Sequence, residues 1–395
     1  MRRFDNSRAF LSTFKEALIA YSFDLGGVLA GFIVASQLGV FTSYPWAIAV
    51  YPAILSARGM ISGLFSGRLG TALHVGSIYP KLFGNTQRFY TLFESIIVVT
   101  LETSVAMSLF SMLFGILFWG LTLADLVSTV LVIVATMSLG LVLSLFTVAL
   151  AFTTFKKGLD PDVIEYPIMS TVADIYITVC YVFMLTVHSF SILVPLLLVV
   201  VHVVLAIFVL SRNLHEKDFV KTIKESVITL IFVAFIVNIT GTILKNINLG
   251  NSKEVYTVYP ALIDTVGDVG SVVGSTATTR IALGSLEPSF SSMKRHSTHI
   301  FGAWAASAVM FILFSVFSLL INGTLTVARF LGFTTVLLVT NVMAVAAIVF
   351  VSFAVSILTF KRGLDPDNFV IPIESSLADS ITSIALLVTL SLAVL

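Results

Sequence analysis

Hydrophobic residues fall in long stretches along this chain, separated by short polar breaks. About 20 apolar residues cross a bilayer as a helix, and longer runs cross with tilt. That rule predicts eleven spans, at 17–40, 45–72, 90–120, 126–155, 163–188, 190–211, 219–243, 256–283, 297–321, 327–360 and 368–394. The fold class that follows is an all-α integral membrane protein.

Lysine and arginine set the expected orientation, because short cytoplasmic loops carry the excess of positive charge. With the N-terminus inside, the basic clusters at Lys81 and Arg88, Lys156–Lys157, Arg212–Lys224, Lys294–Arg295 and Lys361–Arg362 all fall on the cytoplasmic side. Only Lys245, Lys253 and Arg329 fall outside, and the C-terminus is placed there too. Residues 1–16, with Arg2, Arg3, Arg8 and Lys15, read as a cytoplasmic amphipathic lead-in.

One stretch occurs twice. Residues 155–174 read FKKGLDPDVIEYPIMSTVAD and residues 360–379 read FKRGLDPDNFVIPIESSLAD, aligned without a gap. A second block, Tyr51-Pro52-Ala53 through Pro80, aligns without a gap on Tyr259-Pro260-Ala261 through Pro288. Proline kinks a membrane helix in a way its neighbours must accommodate, so paired prolines imply paired helix shapes. The chain therefore reads as a five-span repeat at 17–188, a linker span within 189–211 and a second five-span repeat at 212–395. Five spans is an odd number, and the linker restores the direction of the second copy. The expected relation is a parallel pseudo-two-fold with a path along its axis, a pseudo-dimer in one monomer.

Composition agrees. With 57% hydrophobic and 11% charged residues, and a mean hydropathy of +1.05, the chain is too apolar for a soluble fold, and its partner is the lipid bilayer of a cell membrane. A net charge of +1 offers no basic surface for nucleic acid. The single cysteine, Cys180, makes an intrachain disulfide impossible and excludes a thiolate metal cluster.

Against this apolar background the acids within spans stand out: Asp24, Glu94, Glu102, Asp174, Asp264, Asp268, Glu374 and Asp379. A carboxylate at membrane depth costs a few kcal/mol to insert, so it normally faces protein or a watery path and marks an ion route. Asp174 and Asp379 close the two copies of the repeated stretch. Ser170, Thr171, Ser375 and Ser376 precede them by three or four residues on the same helical faces. Carboxylates and hydroxyls are the oxygen donors that hard divalent cations prefer, and imidazole and thiol are nearly absent from the spans. The plainer reading of the other acids is pairing: Asp264 and Asp268 with Arg280, and Asp24, Glu94 and Glu102 with Arg58. Asp160, Asp162, Asp365 and Asp367 read as helix caps beside the basic pairs. The glycines of the second and eighth spans, Gly267 among them, suit close helix packing as well as a backbone-lined pore.

At these residues the chain resembles the membrane domain of the MgtE family of magnesium channels and its fused two-repeat solute-carrier relatives. The GLDPD…P…S[ST]xAD stretch is similar to that family's GxDP…P…TTxxD. The stretch GDVGSVVGSTATTRIALG at 267–284 is similar to its Gly-Asn-x-Gly-Ser-Gln helix. The family's Gly-Asn position is Gly267-Asp268 in the second half and Gly59-Met60 in the first, so the resemblance implies an asymmetric lining.

The resemblance implies a transporter rather than an enzyme, with Mg2+ or another divalent cation as cargo and Asp174 and Asp379 at the ion. Two alternatives stay open: a carrier that exchanges divalent cations for sodium or protons, and an intramembrane aspartyl enzyme, which needs two carboxylates on one water.

Overall fold

The computed structural model describes the backbone of residues 2–157, 161–247, 253–362 and 366–393. It describes their side chains apart from 2–8, 161–167, 218, 225, 228, 229, 282, 359, 362, 366–374 and 393. The side chains of Asp160, Asp162, Asp365, Asp367 and Glu374 lie outside the described residues.

Every regular element among the described residues is helical. The chain opens with α1 (Arg2–Tyr21), a single 3-10 turn at Ser22–Asp24, α2 (Leu25–Ser36) and the short α3 (Leu38–Thr42). Then come α4 (Ala47–His74), α5 (Gln87–Phe114), α6 (Leu123–Gly140), α7 (Val142–Lys156), α8 (Pro161–Phe190) and α9 (Leu193–Asn213). The remainder is α10 (Lys217–Asn246), α11 (Lys253–Ala282), α12 (Met293–Ile321), α13 (Val327–Arg362) and α14 (Pro366–Ala393). Local chemistry starts several of these: the Thr86 hydroxyl accepts from Phe89 N at the head of α5, and Thr122 and Asp125 form a capping box on α6.

Among the described residues nine helices or helix runs are long and apolar enough to cross a membrane, against the eleven expected. The difference lies at 219–243 and 256–283. Of α10, only the shorter stretch Leu230–Asn246 stands out as an apolar helix. The 30-residue α11 is long enough, but Asp264, Asp268 and its many glycines and hydroxyls keep it from reading as a lipid-soluble helix. The N-terminus differs as well. Helix α1 runs through residue 16, and the apolar run begins at Ala9. A helix break falls at Ser22–Asp24.

The helices group into two packing units, Gln37–Thr242 and the combination of Met1–Ser36 with Ile243–Leu395. In the second of these α11 is the hub, packing against α2, α12, α13 and α14, while α1 packs along α12. Two glycines of α2 permit its approach. A Cβ on Gly27 would lie 2.7 Å from Ala261 N, and one on Gly31 would collide with the carbonyl oxygens of Tyr256 and Thr257.

In the Gln37–Thr242 unit α4 holds the centre, against α5, α7 and α8, and α6 joins α5, α8 and α9. Here Gly241 of α10 approaches α4 so closely that a Cβ would collide with the Ala49 carbonyl. In the gap-free alignment of the two copies, Ala49 is the counterpart of Thr257. Each unit thus receives its first helix from the other sequence copy, by an equivalent glycine crossing.

The α9 helix carries a face of exposed Leu193, Leu197, Val201, Val204 and Phe208, as suits a span in contact with lipid. Both proline-containing hub helices continue through their prolines, Pro52 in α4 and Pro260 in α11.

Candidate functional site

The two aspartates that close the repeated stretch are both buried: Asp174 on α8 and Asp379 on α14 are each 6% exposed. Around each, its own unit builds the same support. In the Gln37–Thr242 unit the Tyr51 hydroxyl of α4 meets the Thr178 hydroxyl at 3.0 Å, one turn after Asp174. In the other unit the Tyr259 hydroxyl of α11 meets the Ser383 hydroxyl at 2.9 Å, one turn after Asp379. Ser383 also donates to the Asp379 carbonyl at 2.7 Å. These tyrosines begin the repeated YPA block. Their part in the site was missed from sequence, although the spacing repeats in both copies.

On the Asp379 side further acids gather. Asp268 and Gly267 share α11, and a Cβ on Gly267 would sit 3.8 Å from the Cβ of Ala378, the neighbour of Asp379. Asp24, in the 3-10 turn between α1 and α2, is 7% exposed and accepts a 2.5 Å hydrogen bond from the Thr265 hydroxyl. Tyr21, fully buried one turn earlier, lies within electrostatic reach of both Asp268 and Asp24. Asp264 is partly buried one turn before Asp268. Neither Tyr21 nor Thr265 was marked from sequence, since nothing in the pattern shows that α2 packs on α11.

The pairings expected for these acids do not form with the arginines named. Arg280 reaches the Arg295 carbonyl at 3.4 Å and His296 Nδ1 at 3.1 Å. Glu94 accepts a 2.5 Å bond from Asn213 Nδ2 and lies 3.5 Å from Arg212, both on α9. Glu102 accepts from the Ser226 hydroxyl at 2.9 Å. Arg58 has none of these acids as its partner. Among the hydroxyls beside the paired aspartates, Ser376 is buried, Ser170 and Thr171 are partly buried and Ser375 is exposed. Among the described residues no three His, Cys, Asp or Glu side chains meet as a metal cluster.

Among the described residues, helices are the only regular elements, nine of them are long and apolar enough to cross a membrane, and acids are buried at repeated positions, as in the class of polytopic membrane transport proteins. The sequence model of the MgtE family, described as divalent cation transporters, matches the chain twice, over residues 51–185 and 259–389. The chain belongs to that family. Each match begins at the YPA tyrosine and carries one copy of the repeated stretch with its aspartate. Comparison with curated proteins and with solved structures gave no match.

Proposed function

We propose that this protein carries Mg2+ across the cell membrane, with Asp174 and Asp379 as carboxylates of the ion's path. The observation that carries this reading is the matched support of two costly buried acids. Each precedes by one turn a hydroxyl held by the YPA tyrosine of its own unit. Structural charges at membrane depth have no need to recur with their surroundings; a cargo site built from two copies does.

Asp268, Asp264 and Asp24, with Gly267, extend the site on the Asp379 side, and Ser170, Thr171, Ser375 and Ser376 serve bound water. Glu94 and Glu102 we assign to fastening α9 and α10, given their partners. The path is proposed to cross eleven spans arranged as two five-span repeats, with the N-terminus cytoplasmic and the C-terminus outside. An inside-negative potential of 100 mV favours entry of a divalent ion by roughly 4.6 kcal/mol, so uptake needs no coupling.

A second reading, exchange against sodium or protons, is favoured by one observation. Asp268, which lies within electrostatic reach of Tyr21 beside Asp24, has no acidic equivalent in the first copy, where Met60 takes its place. Magnesium-sensitive dye inside proteoliposomes separates the two. Flux driven by a potassium-diffusion potential alone supports uniport, and flux that requires an opposing sodium or proton gradient supports exchange.

A further inference from the structure

The most unusual buried charge in the Gln37–Thr242 unit takes no part in the proposed site. Arg58, in the middle of α4, is 1% exposed, and all three of its guanidinium nitrogens lack a hydrogen-bond partner among the described residues. Guanidinium stays protonated at any accessible pH, so this is a fixed positive charge inside a membrane protein. Burying such a charge without a counter-ion is strongly unfavourable.

Its surroundings are as distinctive as its burial. The Arg58 side chain passes over Gly140, where a Cβ would sit 3.7 Å from Arg58 Cδ and 3.1 Å from Ile177 Cδ1. One turn before and one turn after Gly140 stand Thr136 and Ser144, and one turn after Arg58 stands Ser62. Thr136 shares a face of α6 with Gly140, and Ser62 a face of α4 with Arg58, while Ser144 stands in the first turn of α7 just past the break at Leu141. All three are buried, at 0%, 2% and 6% exposure, and none of their hydroxyls has a hydrogen-bond partner.

Elsewhere in this unit buried hydroxyls donate to the carbonyl four residues back, as do Thr100, Ser104 and Thr147. The nearby Tyr176 phenol has already given its proton to the Leu139 carbonyl at 3.2 Å. What remains is a guanidinium and three hydroxyls, all able to donate, with no carboxylate among the described residues bonded to them. The second copy does not repeat the arrangement: the gap-free alignment places Val266 opposite Arg58 and Gly270 opposite Ser62.

We propose that Arg58, with Ser62, Thr136 and Ser144, forms an internal site for a small monovalent anion of the halide class. One fixed positive charge matches one negative charge. A halide only accepts hydrogen bonds, so it can take one from the guanidinium, which only donates, and one from each hydroxyl turned toward it. The closeness of Gly140, Ile177 and Arg58 disfavours a larger oxyanion. The inference is independent of which cation the protein carries.

The test is thermal unfolding of the purified full-length protein in detergent, titrated with potassium bromide at constant ionic strength against potassium gluconate. Bromide anomalous scattering from crystals then locates any bound ion. Wild type is expected to show a saturable rise in Tm with bromide and anomalous density beside Arg58. Arg58→Met is expected to lose both, while unfolding in gluconate no earlier than wild type, because it removes the uncompensated charge. Should Arg58→Met fail to fold, the Ser62→Ala, Ser144→Ala double variant keeps the charge and is expected to need about tenfold more bromide for the same shift. Equal Tm of wild type in bromide and gluconate, density for water alone at Arg58, or an unchanged bromide response in the variants each overturns the proposal.

Discussion

Tyr259 and Ser383 are hydrogen bonded through their hydroxyls at 2.9 Å, and Ser383 stands one helical turn beyond Asp379. The bond ties the hub helix α11 to the helix that carries the acid, and Tyr51 with Thr178 does the same around Asp174 at 3.0 Å. All four residues are buried, with the tyrosines at 0% and 1% exposure. A carboxylate held in this way is positioned by a second element and not by its own helix alone.

Removing either phenol should therefore loosen an acid without removing it. Tyr259→Phe or Tyr51→Phe leaves one buried hydroxyl with a lost partner and should cost about 1 kcal/mol of stability each. A lowered Tm in detergent, with transport reduced but not abolished, is the expected result. Because the pairs lie in different helix contacts, the double variant should show nearly the sum of the two Tm shifts.

The glycine crossings make a stronger demand. At Gly31 and Gly241 a Cβ would collide with backbone carbonyls, which cannot rotate away as a side chain does. Gly31→Val and Gly241→Val should each destabilise by roughly 2–3 kcal/mol or prevent assembly, as overpacking does. Gly59→Ala, whose Cβ meets nothing within 4 Å, should fold as wild type does. Yield of monodisperse protein in size-exclusion chromatography compares the three directly.

The acids of α5 should separate from the transport acids. Arg212 is 56% exposed at its side chain, so its pair with Glu94 is worth at most about 1 kcal/mol. Arg212→Ala should leave magnesium flux within about twofold of wild type. Asn213→Leu, which strips a buried donor from Glu94, should lower the Tm further than Arg212→Ala does.

Much of this was legible in the residues themselves. Twenty-residue apolar runs announced the membrane, and the doubled FK[KR]GLDPD stretch pointed to Asp174 and Asp379, both of which are buried. What could not be read was the partner of each helix. Hydropathy marks that α2 is apolar but not that Gly31 lies on Tyr256 and Thr257, because that contact is set by shape across more than two hundred positions. For the same reason Glu94 and Glu102 looked like acids in search of Arg58, whereas Asn213 and Ser226, unremarkable in sequence, are what they meet. The span count suffered from the opposite cause. The α11 helix is polar where the acids of the proposed site gather, so the residues that suggest a function also weaken its membrane signal.

The central claim is the proposal that Asp174 and Asp379 each serve the path of the transported ion. Magnesium flux into proteoliposomes under an inside-negative potential tests it most directly, comparing wild type with Asp174→Asn, Asp379→Asn and the double variant at equal reconstituted amounts. Neutralising a carboxylate that contacts the ion should lower flux at least tenfold in each single variant and abolish it in the double, with monodispersity preserved. Flux in the double variant equal to wild type would contradict the account and remove both aspartates from the path.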